Sequence, residues 1–562
     1  MRTPQALARR SRQDAQTVVG AAVPAPTGGW NAKDPLADMK PEDAVQLDNW
    51  IPRPGYVEIR RGFKSHVVQT DYERVTEAGD VRVTEAGDIR VIEADVTDTL
   101  TVESLITYSS GSGADKLFAA SGQYIFDVTT EGVLGAPVES GKTNARWQDT
   151  SFSNDGGVWT LAFNGADTPL IYDGTNWADT SFTGTSGSLT LTPSTLIDCV
   201  VHKRRLMMVE RESLRIWFPA IEAISGACEL LDLGPVFDRG GSIACIGTWT
   251  LDGGAGADDM LICVTNQGQV AVYQGIDPAD ANNWSLVGVY EIGMPLGRRA
   301  LLKYGAELVI LTSDGAIPLS QALKLNRAQQ KNIAITAKIQ NAFALAARSY
   351  SDNFGWEGVL YPAGQLAIFN VPITSGGLAN QYVQNVQTGA WCKFIGLNAI
   401  CWAYANDTLY FGGNGGVYEW DTGGSDNGTA ITCDITTAFN GFSSAHRQKQ
   451  FTMARPILRA RRTLLYAIDM LADYRAKAPA NTPANDATTA GSGQWGSGQW
   501  GTAQWTLGQP LRLGWTSLTG LGYVGAVRMR VVANPAAVSG VYPEVKAQFI
   551  GADVMYQPGG ML

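Results

Sequence analysis

Between positions 105 and 420 a short phrase returns about every 40 to 50 residues, and few folds accommodate it. An apolar strand is followed by a glycine or charged turn and then by a second strand that closes on an aromatic. Residues 105–108, 116–120 and 124–128 form one instance, and 159–163 with 170–174 form another. The pairs 206–209 with 214–217, 260–264 with 269–273, 307–311 with 315–319, and 408–411 with 416–420 repeat it. A single small sheet cannot cover both of its faces, so successive copies must stack on one another, as the blades of a β-propeller do. About six to eight blades of three or four strands fit the span. Composition agrees: 63 glycines, 16 Trp, 19 Tyr and 17 Phe make a turn-rich, aromatic-rich chain. Charged residues are only 17%, against roughly 25% in an average chain.

The rest of the chain divides around this block. Residues 1–27 carry Arg2, Arg9, Arg10 and Arg12 against the single acid Asp14 and read as a disordered basic arm, a composition shared with organelle transit peptides. Residues 28–104 read as a strand and turn segment. There Pro41 opens a short helix with Ala44, Val45 and Leu47 on its apolar side, Arg53-Pro54-Gly55 turns the chain, and Val57 and Ile59 alternate with Tyr56, Glu58 and Arg60 as a half-buried strand. From Arg74 to Asp95 the segment repeats with a period of eight, too short for helices and suited to small β rungs leaning on a neighbour. Within 321–350, Ile335, Ile339 and Phe343 fall on one face of a helix inserted between blades. Beyond 421 the alternation lengthens, over 429–436, 457–461, 527–531 and 545–549, with Val527, Met529 and Val531 on a dry face and Arg528 and Arg530 on a wet one. The expected fold is therefore mainly β. A β-propeller-like central domain spans 105–420, and a separate C-terminal β-sandwich-like domain spans 421–562, entered through a glycine-rich linker at 421–428 and bearing a Gly/Trp-rich arm at 491–505.

Patterns that carry chemistry are scarce. His66, His202 and His446 are too scattered for a zinc site, and neither a nucleophile elbow nor a phosphate-binding loop occurs; residues 135–143 miss the latter by one position. No catalytic residue, cofactor or metal ligand is assigned on these grounds. The seven cysteines, Cys199, Cys228, Cys245, Cys263, Cys392, Cys401 and Cys433, are odd in number and never spaced as a pair, which excludes a zinc ribbon or a disulfide framework and suits folding in a reducing compartment. No apolar run approaches the roughly 18 residues of a membrane span. A net charge of −10 argues against a whole-molecule footprint for nucleic acid or an anionic membrane.

Acids are numerous enough that a pair converging in the propeller funnel would make a glycosidase or a receptor-binding depolymerase, the carbohydrate-active alternative. Ser153 to Trp159 is one residue short of the S-x-D-x-G-x-x-W turn of sialidase-type propellers. Candidate partner contacts are the basic run Lys203, Arg204 and Arg205, a second cluster at Arg459, Arg461 and Arg462, and above all Trp495, Trp500 and Trp505. Each of these Trp residues follows a Gln, at five-residue intervals. Five is odd, so in a plain strand the rings would alternate faces; a bent, glycine-hinged arm pressing them into a neighbour is the expectation, with the chain's own core and stacking on sugars as the alternatives.

Three stretches carry a family resemblance: Gly28 to Trp50 (GGWNAKDPLADMKPEDAVQLDNW), Arg60-Arg61-Gly62 after its turn, and Gly551 to Gly560 (GADVMYQPGG). Together with the tandem repeats, the chain resembles the tail nozzle, or tail hub, proteins of short-tailed bacteriophages. That resemblance implies a virion subunit made in the bacterial host cytoplasm and assembled as a homo-hexameric ring. It further implies docking to the head-to-tail adaptor, contacts with tail fibres, spikes or a needle, and a channel through which genomic DNA passes without sequence-specific binding. An acidic ring wall would repel DNA phosphates and limit sticking during passage. The family implies no catalytic residue and no cofactor.

Overall fold

The computed structural model describes residues 18–68, 100–111, 113, 115–252, 257–460, 464–475, 484–485, 511–512, 514–533 and 543–559. The octapeptide repeat, Arg461, Arg462 and all three of Trp495, Trp500 and Trp505 lie outside these residues.

Among the described residues, seven small sheets stand around one axis. Their innermost strands are Val102–Tyr108, Gln148–Asn154, Leu196–His202, Ile243–Asp252, Leu301–Tyr304, Glu357–Tyr361 and Cys401–Ala405. Each lies beside the next, and the last lies beside the first. From each inner strand the sheet steps outward through antiparallel neighbours. The block is a seven-bladed β-propeller. The six phrases found in the sequence are six of its blades. The seventh to be counted, sixth along the chain, is Glu357–Tyr361, Leu366–Pro372, Ala379–Asn385 and Trp391–Ile395. Its second strand is buried at every position, so no alternation marks it.

Two further features depart from expectation. The inserted helix is broken into Leu319–Ala322, Arg327–Ile333, a 3-10 turn Ile335–Ile339 and Gln340–Tyr350, which together cover the edge where the fifth blade would carry a fourth strand. Asn326 starts the second piece by accepting the Gln329 N–H at 3.1 Å, and Ile339 and Phe343 are buried as the spacing requires. The ring is also closed from outside its expected range. Phe63–Val68, from ahead of the first blade, pairs antiparallel with Gly416–Trp420 and becomes the outer strand of the last blade. There Val67 packs in a core with Val102, Leu117 and Val417, so one cluster joins the first and last blades.

The sandwich is not a separate C-terminal domain. One of its sheets sets Ala547–Pro558 between Lys449–Ala460 and two N-terminal partners, Val19–Pro24 and Tyr56–Ile59. The other is the sixth blade continued: Trp391–Ile395 passes through Gly29–Trp30 and Asp43–Asp48 to Ile431–Thr437, Gly525–Ala533 and Leu465–Ala472. One core holds Leu47 and Trp50 from the N-terminal segment, Phe394 and Trp420 from the blades, and Phe451, Met529 and Phe549 from the C-terminal strands. Burying each such side chain contributes about 1.5–3 kcal/mol. Residues 43–48 are thus a strand rather than the expected helix, because partners on both sides satisfy the backbone and override local propensity. Val19–Pro24 is likewise a strand, within the segment expected to be a disordered arm.

Candidate functional site

The motif residues of the sequence converge on the joints between these parts. The Arg60 side chain has no exposed surface, and its guanidinium meets the two oxygens of Asp426 at 2.8 and 2.6 Å. It also donates to Asn49 Oδ1 at 2.8 Å and to the Ile395 carbonyl at 3.0 Å. Asn49, at φ 60°, donates in turn to the Thr432 carbonyl at 2.7 Å. The supposed linker at 421–428 is therefore a clasp: Ser425 and Asp426 fold back over Arg60, and a Cβ on Gly62 would lie 1.8 Å from the Ser425 carbonyl oxygen. A second joint forms where Lys338 meets Asp43 at 2.6 Å and the Gly28 carbonyl at 2.7 Å, with Asn31 donating to Asp43 at 2.8 Å.

The basic run at 203–205 is a hairpin turn. Lys203 and Arg204 take φ of 47° and 64°, and Arg204 pairs with Glu222. Arg205, expected at a partner surface, is turned inward instead: it pairs with Asp277 at 3.2 Å and lies over the Phe218 ring at 5.2 Å. The strand direction decides this, since Arg205 is the first residue of the buried strand Arg205–Glu210. Arg459 is exposed on its strand. The sialidase-like turn is the hairpin joining Gln148–Asn154 to Gly157–Phe163, and Trp159 Nε1 donates to Asn154 Oδ1 at 3.0 Å. His66 and His202 each donate Nε2–H to a carbonyl, of Val128 at 2.8 Å and of Gly275 at 3.0 Å, and are structural. All seven cysteines are buried and unpaired. Among the described residues no group of His, Cys, Asp and Glu is arranged to hold a metal.

What the sequence did not reveal lies on the propeller axis. A chamber of about 270 Å³ is lined from the inner strands by Asp149, Asp198, Glu357 and Gln148, and from the loop before the fifth blade by Arg298 and Arg299. Arg299 is an axial strut. It donates to Gln148 Oε1 at 2.8 Å, Ser104 Oγ at 2.7 Å and the Trp147 and Glu103 carbonyls at 2.9 and 3.3 Å, and stands 3.6 Å from Glu357. Glu357 accepts the Trp402 N–H at 3.2 Å, and Asp198 accepts the Cys199 N–H at 2.8 Å. Asp198 sits at a bulge in its strand, a device that re-aims a side chain.

Burial pushes Asp198 up to about 7 against the pull of the Cys199 N–H and Arg298, and it raises Glu357 against the pull of Arg299. Asp149 is held up to about 6 for the same reason, although its surface opens onto the chamber and water there screens it. All three acids stand at or near the starts of inner strands, so a blade-by-blade alignment on polar residues at those positions was the one signal available.

No protein-family model and no curated protein matches the chain. Among solved structures, the chain is similar at TM-score 0.36 and 11% identity to BBS1N, crystallised in complex with ARL6DN, over 57% of this chain and 91% of that one. A glycoside hydrolase family 43 arabinoxylan arabinofuranohydrolase from Bacillus subtilis aligns at TM-score 0.23 and 11% identity, over 92% of this chain and 95% of that one. An exo-beta-1,3-galactanase from Phanerochaete chrysosporium aligns at TM-score 0.24 and 8% identity, over 72% and 95%.

Proposed function

We propose that this chain is a structural subunit of a phage virion, the nozzle or hub of a short tail, forming a six-membered ring that docks the adaptor and the fibres or spikes and conducts DNA. One observation carries this. The residues on which the family resemblance rests are those that lock propeller to sandwich: Asn31 and Asp43 at one joint, Asn49, Arg60 and Gly62 at the other, and the 551–558 stretch as a central strand between both termini. None of them lines the axial chamber. A sequence signature spent on joints suits a part that transmits load, and a ten-stranded sheet running from blade into sandwich keeps the two lobes from hinging. The chain mixed with adaptor rings is expected to form annular particles in negative stain, and labelled antibody is expected to mark virion tails. Monomers only, with adaptor in excess, would refute the assignment.

Glycoside cleavage is the competing activity, favoured by the meeting of Asp149, Asp198 and Glu357 in one chamber. Asp198, held near neutrality, suits a general acid, with an ionised acid opposite it as base or nucleophile. Release of reducing ends from host polysaccharide, abolished by Glu357→Gln, would establish it. No release with the intact chain would leave the chamber without this reaction.

A further inference from the structure

Arg298 is the odd member of the axial cluster. Its neighbour Arg299 is fully engaged, whereas Arg298, following Gly297 at φ 79°, makes no hydrogen bond or ion pair within the described residues. It lines the 270 Å³ chamber on one side and a second cavity of about 200 Å³ on the other, where Arg146 and Phe354 form the wall. Its guanidinium is half-buried, with donors that make no bond within the described residues and face the chamber, so an acceptor of matching shape can take them up.

We propose that the axial chamber binds a sugar acid, a single hexuronate ring, with its carboxylate received by Arg298 and its hydroxyls by Asp149, Asp198 and Glu357. A planar carboxylate fits a guanidinium fork with two parallel bonds. The three acids then select among anions. Carboxylates repel phosphate or sulfate but accept hydroxyl protons, so a monoanion bearing several hydroxyls fits where an inorganic oxyanion does not.

Charge balance agrees. The groups that act on Arg298 are Asp198 in its favour and Arg211, Arg146 and Arg299 against it. Arg146 is already paired with Glu103 at 3.1 Å, Arg211 donates to the Gly165 carbonyl at 2.7 Å, and Asp352 stands at the outer cavity. With Asp198 raised to about 7, the lining loses negative charge as pH falls through neutrality. Binding of an anion therefore strengthens from about pH 8 to about pH 5. The proposal concerns binding, and it stands apart from ring assembly and from cleavage.

The test is calorimetric titration of the full chain with glucuronate and galacturonate, alongside glucose, acetate and inorganic phosphate as separate probes. A uronate is expected to bind roughly tenfold or more tightly than glucose or acetate, and Arg298→Gln is expected to remove that preference. Arg298→Gln breaks no hydrogen bond within the described residues and removes only a charge that acts on Asp198, and a single cooperative melting transition verifies folding. Asp149→Asn is the second variant: it leaves Arg298 in place, keeps an acceptor for a hydroxyl and removes a negative charge from the lining, so it is expected to strengthen uronate binding at about pH 8. Equal affinity for phosphate or acetate, uronate binding indifferent to Arg298→Gln, or no uronate binding at all would each overturn the proposal.

Discussion

Arg60 carries its charge into a site with no exposed surface, and it is tolerated there because Asp426 meets it with both oxygens. Removing one partner of such a pair leaves the other buried and uncompensated, at about 3–5 kcal/mol. Asp426→Ala is therefore expected to lower the unfolding free energy, measured by denaturant titration, by that much, and Gly62→Ala to be comparably disruptive, since its Cβ has nowhere to go beside Ser425. Asp198 behaves oppositely. Its folded value of about 7 lies above the ordinary 3.8, so the folded state takes up the proton first and the ionised form is a net cost at high pH. That cost is relieved as pH falls through about 7 and vanishes below the unfolded value. Asp198→Asn should accordingly raise the melting temperature at about pH 8, with the gain shrinking as pH approaches about 4, because Asn still accepts the Cys199 N–H. A gain that does not vary with pH would exclude burial of the charge as its cause. Neither site was legible in the sequence. Arg60 and Asp426 are 366 positions apart, and the axial acids are one per blade with no local motif around any of them.

Elements were legible where one face is wet. Val527, Met529 and Val531 are buried and Arg528 and Arg530 are not, and both arginines reach back to Asp434, at 2.8 and 3.0 Å. The sixth blade carries no alternation because its strand Leu366–Pro372 is dry on both faces, and 43–48 reads locally as a helix because its sheet partners come from distant parts of the chain. The closing strand Phe63–Val68 shows the same limit: its own alternation is modest, and its role depends on a partner some 350 residues later. It also makes a sharp prediction. Val67→Asp places an unpaired charge in the cluster that joins the first and last blades, and should cost more than about 3 kcal/mol. Hydrogen exchange should accelerate first in Gly416–Trp420 and Val102–Tyr108, the strands on either side of the seam. Uniform acceleration across all blades would mean that the ring has no weak seam at this strand.

At the scale of the whole molecule, periodicity announced a propeller but not how it is tied to the sandwich, because the tie uses strands from both ends of the chain. Val19–Pro24, Asp43–Asp48 and Tyr56–Ile59 all leave the N-terminal segment to complete sheets built by residues beyond 429. Such a body is rigid, and a rigid subunit that meets identical copies head to tail closes into a ring whenever the rotation between copies divides a full turn. The anchors proposed for that contact are Trp495, Trp500 and Trp505, which lie outside the described residues. Large aromatics at an interface commonly cost about 2 kcal/mol or more each when truncated, and a closed ring multiplies every interface defect by the number of its joints. The combined variant Trp495→Ala, Trp500→Ala and Trp505→Ala is therefore expected to shift native mass spectra from ring to monomer. The thermal midpoint of the monomer is expected to stay unchanged, because rings that serve a contact between copies leave the isolated subunit's packing alone. Rings that persist in the triple variant would remove these residues from the interface, and a lowered midpoint without ring loss would assign them to the subunit's own core.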